Sequence, residues 1–214
     1  ERKMESSRNF ANKLWNATRF VLANLDDTDV VVDWEHGPTP EHLEDRWILS
    51  RLSRVSEEAG KYLEDYQFSE AQRLLQDFLW GEYCDWYLEM AKIRLRAAEG
   101  PSPLPFLVFV LERVLRLLHP FMPFITEEIW QTLRGRLPGL ETTGPALVVA
   151  EYPEAQPGRH DSDAEEEMNG VVEMVRGIRN IRAEFRIAAS QKVEAVVNAP
   201  QISDAVEGEA KAIR

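Results

Sequence analysis

Hydrophobic residues recur along most of the chain with the three-to-four-residue spacing of amphipathic helices. This spacing predicts four long helices, over about residues 2–25, 40–66, 69–98 and 103–118. The second helix is expected to begin where Thr39 precedes Pro40, since threonine is a favourable cap and proline a favourable first helical residue. The third is expected to begin at Ser69, which forms a capping-box pattern with Gln72.

The prolines that follow the fourth helix set its end. Pro120 and Pro123 must interrupt it, because proline lacks the backbone donor and clashes with the preceding turn. A short helix is expected next, capped by Thr126 and running to about Arg134. The four long helices and this short one predict a helical bundle over residues 1–135.

The remainder of the chain, residues 136–214, has a different pattern. It contains two short strand candidates, an apolar run at 146–150 and an alternating run at 192–198. Between them, Ser162 opens a helix that is expected to reach about Phe185. The predicted fold class is therefore mainly α, a helical bundle followed by a small α/β appendage with the order strand–helix–strand.

Composition excludes several classes of protein. Hydrophobic residues make up 44% of the 214 positions and charged residues 29%, which is typical of a globular chain. The single cysteine, Cys84, excludes a disulfide framework, and the four histidines are too scattered to indicate a metal site. No apolar run reaches the roughly 18 residues of a membrane span. Phosphate loops, nucleophile elbows and HExxH pairs are missing from the sequence, so its residues indicate no catalytic site.

The ends of the sequence suggest a longer parent protein. The chain begins with Glu1 rather than methionine and has no apolar leader. We therefore expect a domain excised from a longer, cytoplasmic protein.

The formal net charge of −12 at first argues against a nucleic-acid partner, but the charge is unevenly distributed. Residues 1–25 carry five basic side chains against two acidic ones, and residues 171–192 show the same ratio. Residues 26–46, in contrast, carry eight acidic side chains against Arg46 alone. Two basic segments can bind nucleic acid despite the negative total, although solvated helix faces explain the same pattern.

The first helix carries the most informative arrangement. On a helical wheel its core stripe consists of Phe10, Leu14, Ala17, Val21 and Leu25. A second stripe, roughly 130° away on that wheel, consists of Asn9, Asn12, Lys13, Asn16 and Phe20. Amides can pair with base edges, a lysine can bind phosphate, and an aromatic ring can stack on an unpaired base. Alternatively, Phe20 packs under a neighbouring helix and the asparagines are merely solvated.

The last helix has a comparable division. An apolar stripe lies beside four arginines that recur every three or four residues, namely Arg176, Arg179, Arg182 and Arg186. Arginines at this spacing can follow a line of phosphates. They can equally pair with acidic residues such as those of the 26–35 loop, and the sequence leaves both interpretations open.

Five segments occur in the order found in one known family: RNFANKLWNATRF at 8–20, DRWILS at 45–50, EYCDWYLE at 82–89, LHPFMPFITEEIW at 118–130 and IRNIRAE at 178–184. Through them, residues 1–198 resemble the anticodon-binding domain of the valyl-tRNA synthetases. The segment around His119 also recurs in leucyl and isoleucyl synthetases, so it indicates only the class. NKLWN and EYCDWYLE point more narrowly to valine.

The resemblance implies a class I synthetase anticodon-binding helical bundle. It also implies a complete enzyme that ligates valine to tRNA(Val) with ATP and Mg²⁺, in cytoplasmic protein biosynthesis. The family's catalytic and editing domains lie upstream of this segment, so no cofactor or metal and no catalytic residue is expected in this chain itself. The expected partners are the anticodon stem-loop of tRNA(Val) and the catalytic domain of the same chain, with no membrane and no DNA.

The resemblance also implies roles for the first-helix stripe. Phe20 would stack on an anticodon base, while Lys13, Asn16 and Arg19 would reach base edges or phosphates. The wheel places Arg19 at the margin of the stripe. Two alternatives stay open: the same domain of an isoleucyl or leucyl synthetase, and a helical protein-interaction module whose surface includes Trp15 and Phe20.

Overall fold

The computed structural model of the chain describes residues 2–25, 30–97, 100–188, 191 and 193–194. The regular structure of these residues is helical, and no β-strand forms among them, which confirms the mainly α fold class. The chain divides into two compact units, Glu1–His160 and Asp161–Arg214. None of the described helices is long and apolar enough to cross a membrane.

The first unit contains six α-helices within its described residues: α1 Arg2–Ala23, α2 Leu43–Glu64, α3 Phe68–Asp77, α4 Leu88–Ala97, α5 Leu104–Leu118 and α6 Pro123–Arg134. α3 continues into a π-helical segment, Phe78–Tyr87, which continues into α4. Short 3-10 turns follow at Leu140–Thr143, Leu147–Val149 and Pro157–Arg159. The second unit contains α7, Ser162–Glu184.

The core of the first unit is built around α5. Most residues of this helix are leucine, valine or phenylalanine, and 13 of its 15 residues are buried, among them Glu112 and Arg116, which form an ion pair. α1, α2, α3, α4 and α6 all pack against it. A helix with so much apolar surface is stable because its neighbours cover that surface.

The predicted core stripe of α1 is confirmed. Its five residues are all buried, from 0% exposed at Leu14 and Val21 to 8% at Leu25. α1 packs with this stripe against α5, α6 and the π-helical segment. The opposite face of α1 is thereby left at the surface.

Three predicted helix caps are wrong. α2 begins at Leu43, because the chain is still extended at His42 (φ −92°, ψ 154°), so Thr39 and Pro40 lie in the preceding loop. α3 begins at Phe68, which places Ser69 inside its first turn. α6 begins at Pro123, and the hydroxyl of Thr126 donates back to the carbonyl of Met122 (2.9 Å).

The strand predicted at 146–150 is also wrong, since this run forms the 3-10 turn Leu147–Val149. A strand needs a partner for its backbone groups, and here the amide of Leu147 instead donates to the Glu127 carboxylate (2.9 Å). Val148 and Val149 are 75% and 64% exposed, and only Leu147 of this turn is buried. Most of the second strand candidate, 192–198, lies outside the described residues. The described residues thus show no α/β appendage.

Candidate nucleic-acid interface

The exposed face of α1 carries the predicted amides together with two arginines. Asn9, Asn12 and Asn16 are exposed, and none of them makes a hydrogen bond with a residue that the structure describes. Arg8 and Arg19 are exposed as well, and neither pairs with a described residue. Unpaired amides can recognise base edges, and unpaired guanidinium groups attract phosphates. This face therefore offers both kinds of contact that RNA requires.

Lys13 lies on the side of α1 that contacts the π-helical segment. Its Nζ is 2.6 Å from Oδ1 of Asp85 and 5.3 Å from the centroid of the Trp80 ring. About a third of the Lys13 side chain and nearly half of the Asp85 side chain remain exposed to solvent. The carboxylate thus balances the ammonium charge where a phosphate would otherwise bind.

Phe20 is half-buried beside the neighbouring helix. Nζ of Lys92, in α4, lies 5.2 Å from the centroid of the Phe20 ring and 2.7 Å from Oε1 of Glu89. The interpretation that Phe20 packs against a neighbouring helix is therefore correct in part. The ring nevertheless keeps an exposed portion on which a base can stack.

We call the line of contact between α1 and the helix of residues 78–97 the seam. Its side chains are Lys13, Phe20, Trp80, Asp85, Glu89 and Lys92. Two lysines and two carboxylates cancel in formal charge, and two aromatic rings lie beside them. Such a surface suits the flat, uncharged bases of a single strand better than it suits phosphates.

Buried tyrosines and an ion-pair network fix the helix that forms the far side of the seam. The hydroxyl of Tyr83 donates to the carbonyl of Leu107 (2.9 Å), and that of Tyr87 donates to Oδ1 of Asp45 (2.8 Å). Arg94 donates to the same Asp45 oxygen (2.8 Å) and to Glu44 (2.8 Å). Burial raises the pKa of Asp45, and the attraction of Arg94 opposes that rise.

Neither nucleophilic nor metal chemistry is indicated at this site. Cys84 is buried, and burial raises the pKa of its thiol to about 12, so the reactive thiolate is scarce at neutral pH. The described residues contain no group of histidine, cysteine and carboxylate side chains that could hold a metal ion. The arrangement on α1 and at the seam offers groups that can bind a ligand.

The arginine row lies on α7 in the second unit. Arg176, Arg179 and Arg186 are exposed, whereas Arg182 is half-buried and donates to the carbonyls of Ala188 (2.6 Å) and Gln191 (3.0 Å). Arg182 thus ties the segment that follows α7 back to this helix. Contact between these arginines and phosphates stays a prediction, and residues 26–29 of the acidic loop lie outside the described residues.

Sequence reasoning missed the residues that complete the seam. Asp85 is 72 positions from Lys13, and a helical wheel orders the residues of one helix without showing which other helix faces them. Trp80, Glu89 and Lys92 were missed for the same reason. The available signal was the run of acids and aromatic residues at 80–89, but nothing in it indicates a lysine of the first helix as the partner.

Comparison with known proteins gives consistent results. A family model described as the anticodon-binding domain of tRNA ligase matches residues 45–197. The valine–tRNA ligase of Dehalococcoides mccartyi strain CBDB1 is 50% identical over 198 residues, which are 92% of this chain and 22% of that protein. The valine–tRNA ligases of Geobacter sulfurreducens and Thermotoga maritima are 45% and 41% identical over 92% and 95% of the chain, again 22% of each protein. The chain thus spans about a fifth of the length of these relatives.

Proposed function

Because the chain belongs to the family of anticodon-binding domains of tRNA ligases, we propose that it recognises the anticodon of a valine tRNA. Its similarity to valine–tRNA ligases supports that choice of tRNA. The complete enzyme, in this proposal, ligates valine to tRNA(Val) with ATP and Mg²⁺ in the cytoplasm. The chain contributes the anticodon contacts, while the catalytic domain of the same protein performs the chemistry.

The observation that carries the proposal is the set of unpaired groups on α1 beside a seam with no net formal charge. In this proposal Asn9, Asn12 and Asn16 pair with base edges, since their amides make no bond with any described residue. Arg19 binds phosphate, and Phe20 stacks on a base. The net charge of −12 is compatible with this, because RNA contacts only the local surface.

The test is direct binding of RNA to this chain. The dissociation constant is measured for a valine-tRNA anticodon stem-loop and for the same stem-loop with changed anticodon bases, at about 50 and 200 mM salt. We expect weak, salt-sensitive binding that is tighter for the valine anticodon. Equal binding of the two RNAs contradicts anticodon recognition, and tighter binding of an isoleucine or leucine anticodon favours a related synthetase. RNA binding that does not depend on salt favours a protein-interaction surface instead.

Phe20→Ala is expected to weaken binding of the valine stem-loop by about 1–3 kcal/mol, which is the range for one base–aromatic stack. The measurement is the same titration, at a temperature where circular dichroism shows that the variant is folded. Phe68→Ala is the matched control, because Phe68 is an exposed phenylalanine whose ring contacts Tyr66. Equal effects of the two substitutions would remove Phe20 from the RNA site.

A further inference from the structure

The two lysines of the seam are held in the same way. Nζ of Lys13 lies 2.6 Å from Asp85 and 5.3 Å from the Trp80 ring centroid. Nζ of Lys92 lies 2.7 Å from Glu89 and 5.2 Å from the centroid of the Phe20 ring. Each ammonium thus lies over an aromatic ring and against a carboxylate. At both ends of the seam an aromatic platform is present without a net positive charge.

This balance of charge changes what the seam attracts. A phosphate that approaches Lys13 must separate it from Asp85 or lie close to a second negative charge, and either requirement weakens binding. Arg8 and Arg19, in contrast, have no partner among the described residues. Attraction for the RNA backbone is therefore stronger on the outer face of α1 than at the seam.

Of the two carboxylates, Asp85 is the one whose pair joins two helices. Glu89 and Lys92 belong to the same helix, three positions apart, whereas Lys13 and Asp85 join α1 to the π-helical segment. That segment is also fixed to α2, because Arg51 donates to both carboxylate oxygens of Glu82 (2.7 and 3.0 Å). Asp85 thus holds its charge at a defined place in the seam.

We propose that Asp85 is a specificity-determining residue: its carboxylate cancels the charge of Lys13 and keeps RNA phosphates away from the place where an unpaired anticodon base binds. This inference rests on the proposed function. A base can hydrogen-bond to the paired lysine and aspartate without separating them, since it offers donors and acceptors but no net charge. A backbone phosphate offers acceptors only. The seam consequently favours an RNA whose bases, rather than its backbone, fit against Trp80 and Phe20.

Asp85→Asn tests the inference, because asparagine keeps the shape of the side chain and removes the charge. We expect the changed-anticodon stem-loop to bind about fivefold more tightly, the effect of removing one charge about 4 Å from a phosphate in water. The affinity for the valine stem-loop should increase less. The dissociation constant of the changed-anticodon stem-loop, divided by that of the valine stem-loop, should therefore fall. The slope of log affinity against log salt should steepen by about 0.7, the value for one additional single-strand phosphate contact.

Two further variants separate this effect from general changes in charge. Glu57→Gln is the matched control, since Glu57 forms a 2.6 Å ion pair with Lys61 on α2. Like Asp85→Asn, this substitution removes one negative charge from a carboxylate paired with a lysine. It should leave the ratio and the slope unchanged. In the double variant Lys13→Met/Asp85→Asn the salt slope should return to the wild-type value, because the freed ammonium is gone.

An unchanged ratio in Asp85→Asn, or weaker binding of both RNAs, overturns the proposal and makes Asp85 a structural support for Lys13. In that case the wild-type chain still prefers the valine anticodon, and the proposed function stands. A wild-type chain that binds both RNAs equally overturns the proposed function and, with it, the role of Asp85.

Discussion

Replacing Arg94 by methionine is expected to lower the free energy of unfolding at neutral pH by about 3–5 kcal/mol. Arg94 contacts Glu44 and Asp45, whose side chains are 2% and 1% exposed, and methionine would leave both carboxylates buried without a cation. Urea denaturation of the two proteins measures the difference. Arg96→Met is the control, since Arg96 is an exposed arginine of the same helix whose loss should matter by less than about 0.5 kcal/mol.

The loss of unfolding free energy in Arg94→Met should also depend on pH in a defined direction. Burial raises the pKa of Asp45 above its unfolded value, and Arg94 is the main group that opposes the rise. A carboxyl whose pKa is raised by folding binds more protons in the folded protein than in the unfolded protein. Its contribution to stability is therefore complete below the pKa of the unfolded state and is lost as the pH rises through the pKa of the folded state. Removing Arg94 raises that folded pKa further. The deficit should therefore be smaller at about pH 5 than at about pH 7, and a deficit that grows on acidification would contradict this assignment.

Leu14→Ala is expected to cost about 2–5 kcal/mol of unfolding free energy. Leu14 is fully buried in the core stripe of α1, and alanine leaves a cavity where α1 packs against its neighbours. Chemical denaturation again provides the measurement. The loss of stability should occur although none of the exposed residues proposed to contact RNA is substituted.

The matched control for Leu14→Ala is Asn12→Ala, two positions earlier on the same helix. Asn12 is exposed and unpaired among the described residues, and alanine is the better helix former, so stability should stay equal or rise by a few tenths of a kcal/mol. Similar losses in both variants would mean that α1 does not pack as described. The pair of variants thus separates the packing role of α1 from its proposed binding role.

The sequence could predict features that depend on local periodicity. The buried stripe of α1, including Leu14 and Val21, was predictable because helical spacing alone decides which residues share a face. Helix ends were predicted less well. Thr39 has the chemistry of a cap, but the chain is still extended at His42, which residue preferences near Thr39 do not reveal.

Features that depend on contacts between distant residues could not be predicted. The run 146–150 has the composition of a strand, but no neighbouring strand is present among the described residues to pair with it. The seam depends on the contact between Lys13 and Asp85, which no local pattern indicates. The π-helical course of Phe78–Tyr87 was also missed, because its sequence fits an α-helix equally well.

Anticodon recognition by α1 is tested most directly by two neighbouring substitutions, Asn16→Ala and Arg19→Gln, with the valine and the changed-anticodon stem-loops. If Asn16 contacts a base, its loss should lower the preference for the valine anticodon by about 1–3 kcal/mol and leave the salt slope unchanged. If Arg19 contacts a phosphate, its loss should weaken the binding of both RNAs equally. It should also reduce the slope of log affinity against log salt by about 0.7. A full preference for the valine anticodon in Asn16→Ala, together with an unchanged slope in Arg19→Gln, would remove both residues from the RNA site and contradict the binding face proposed for α1.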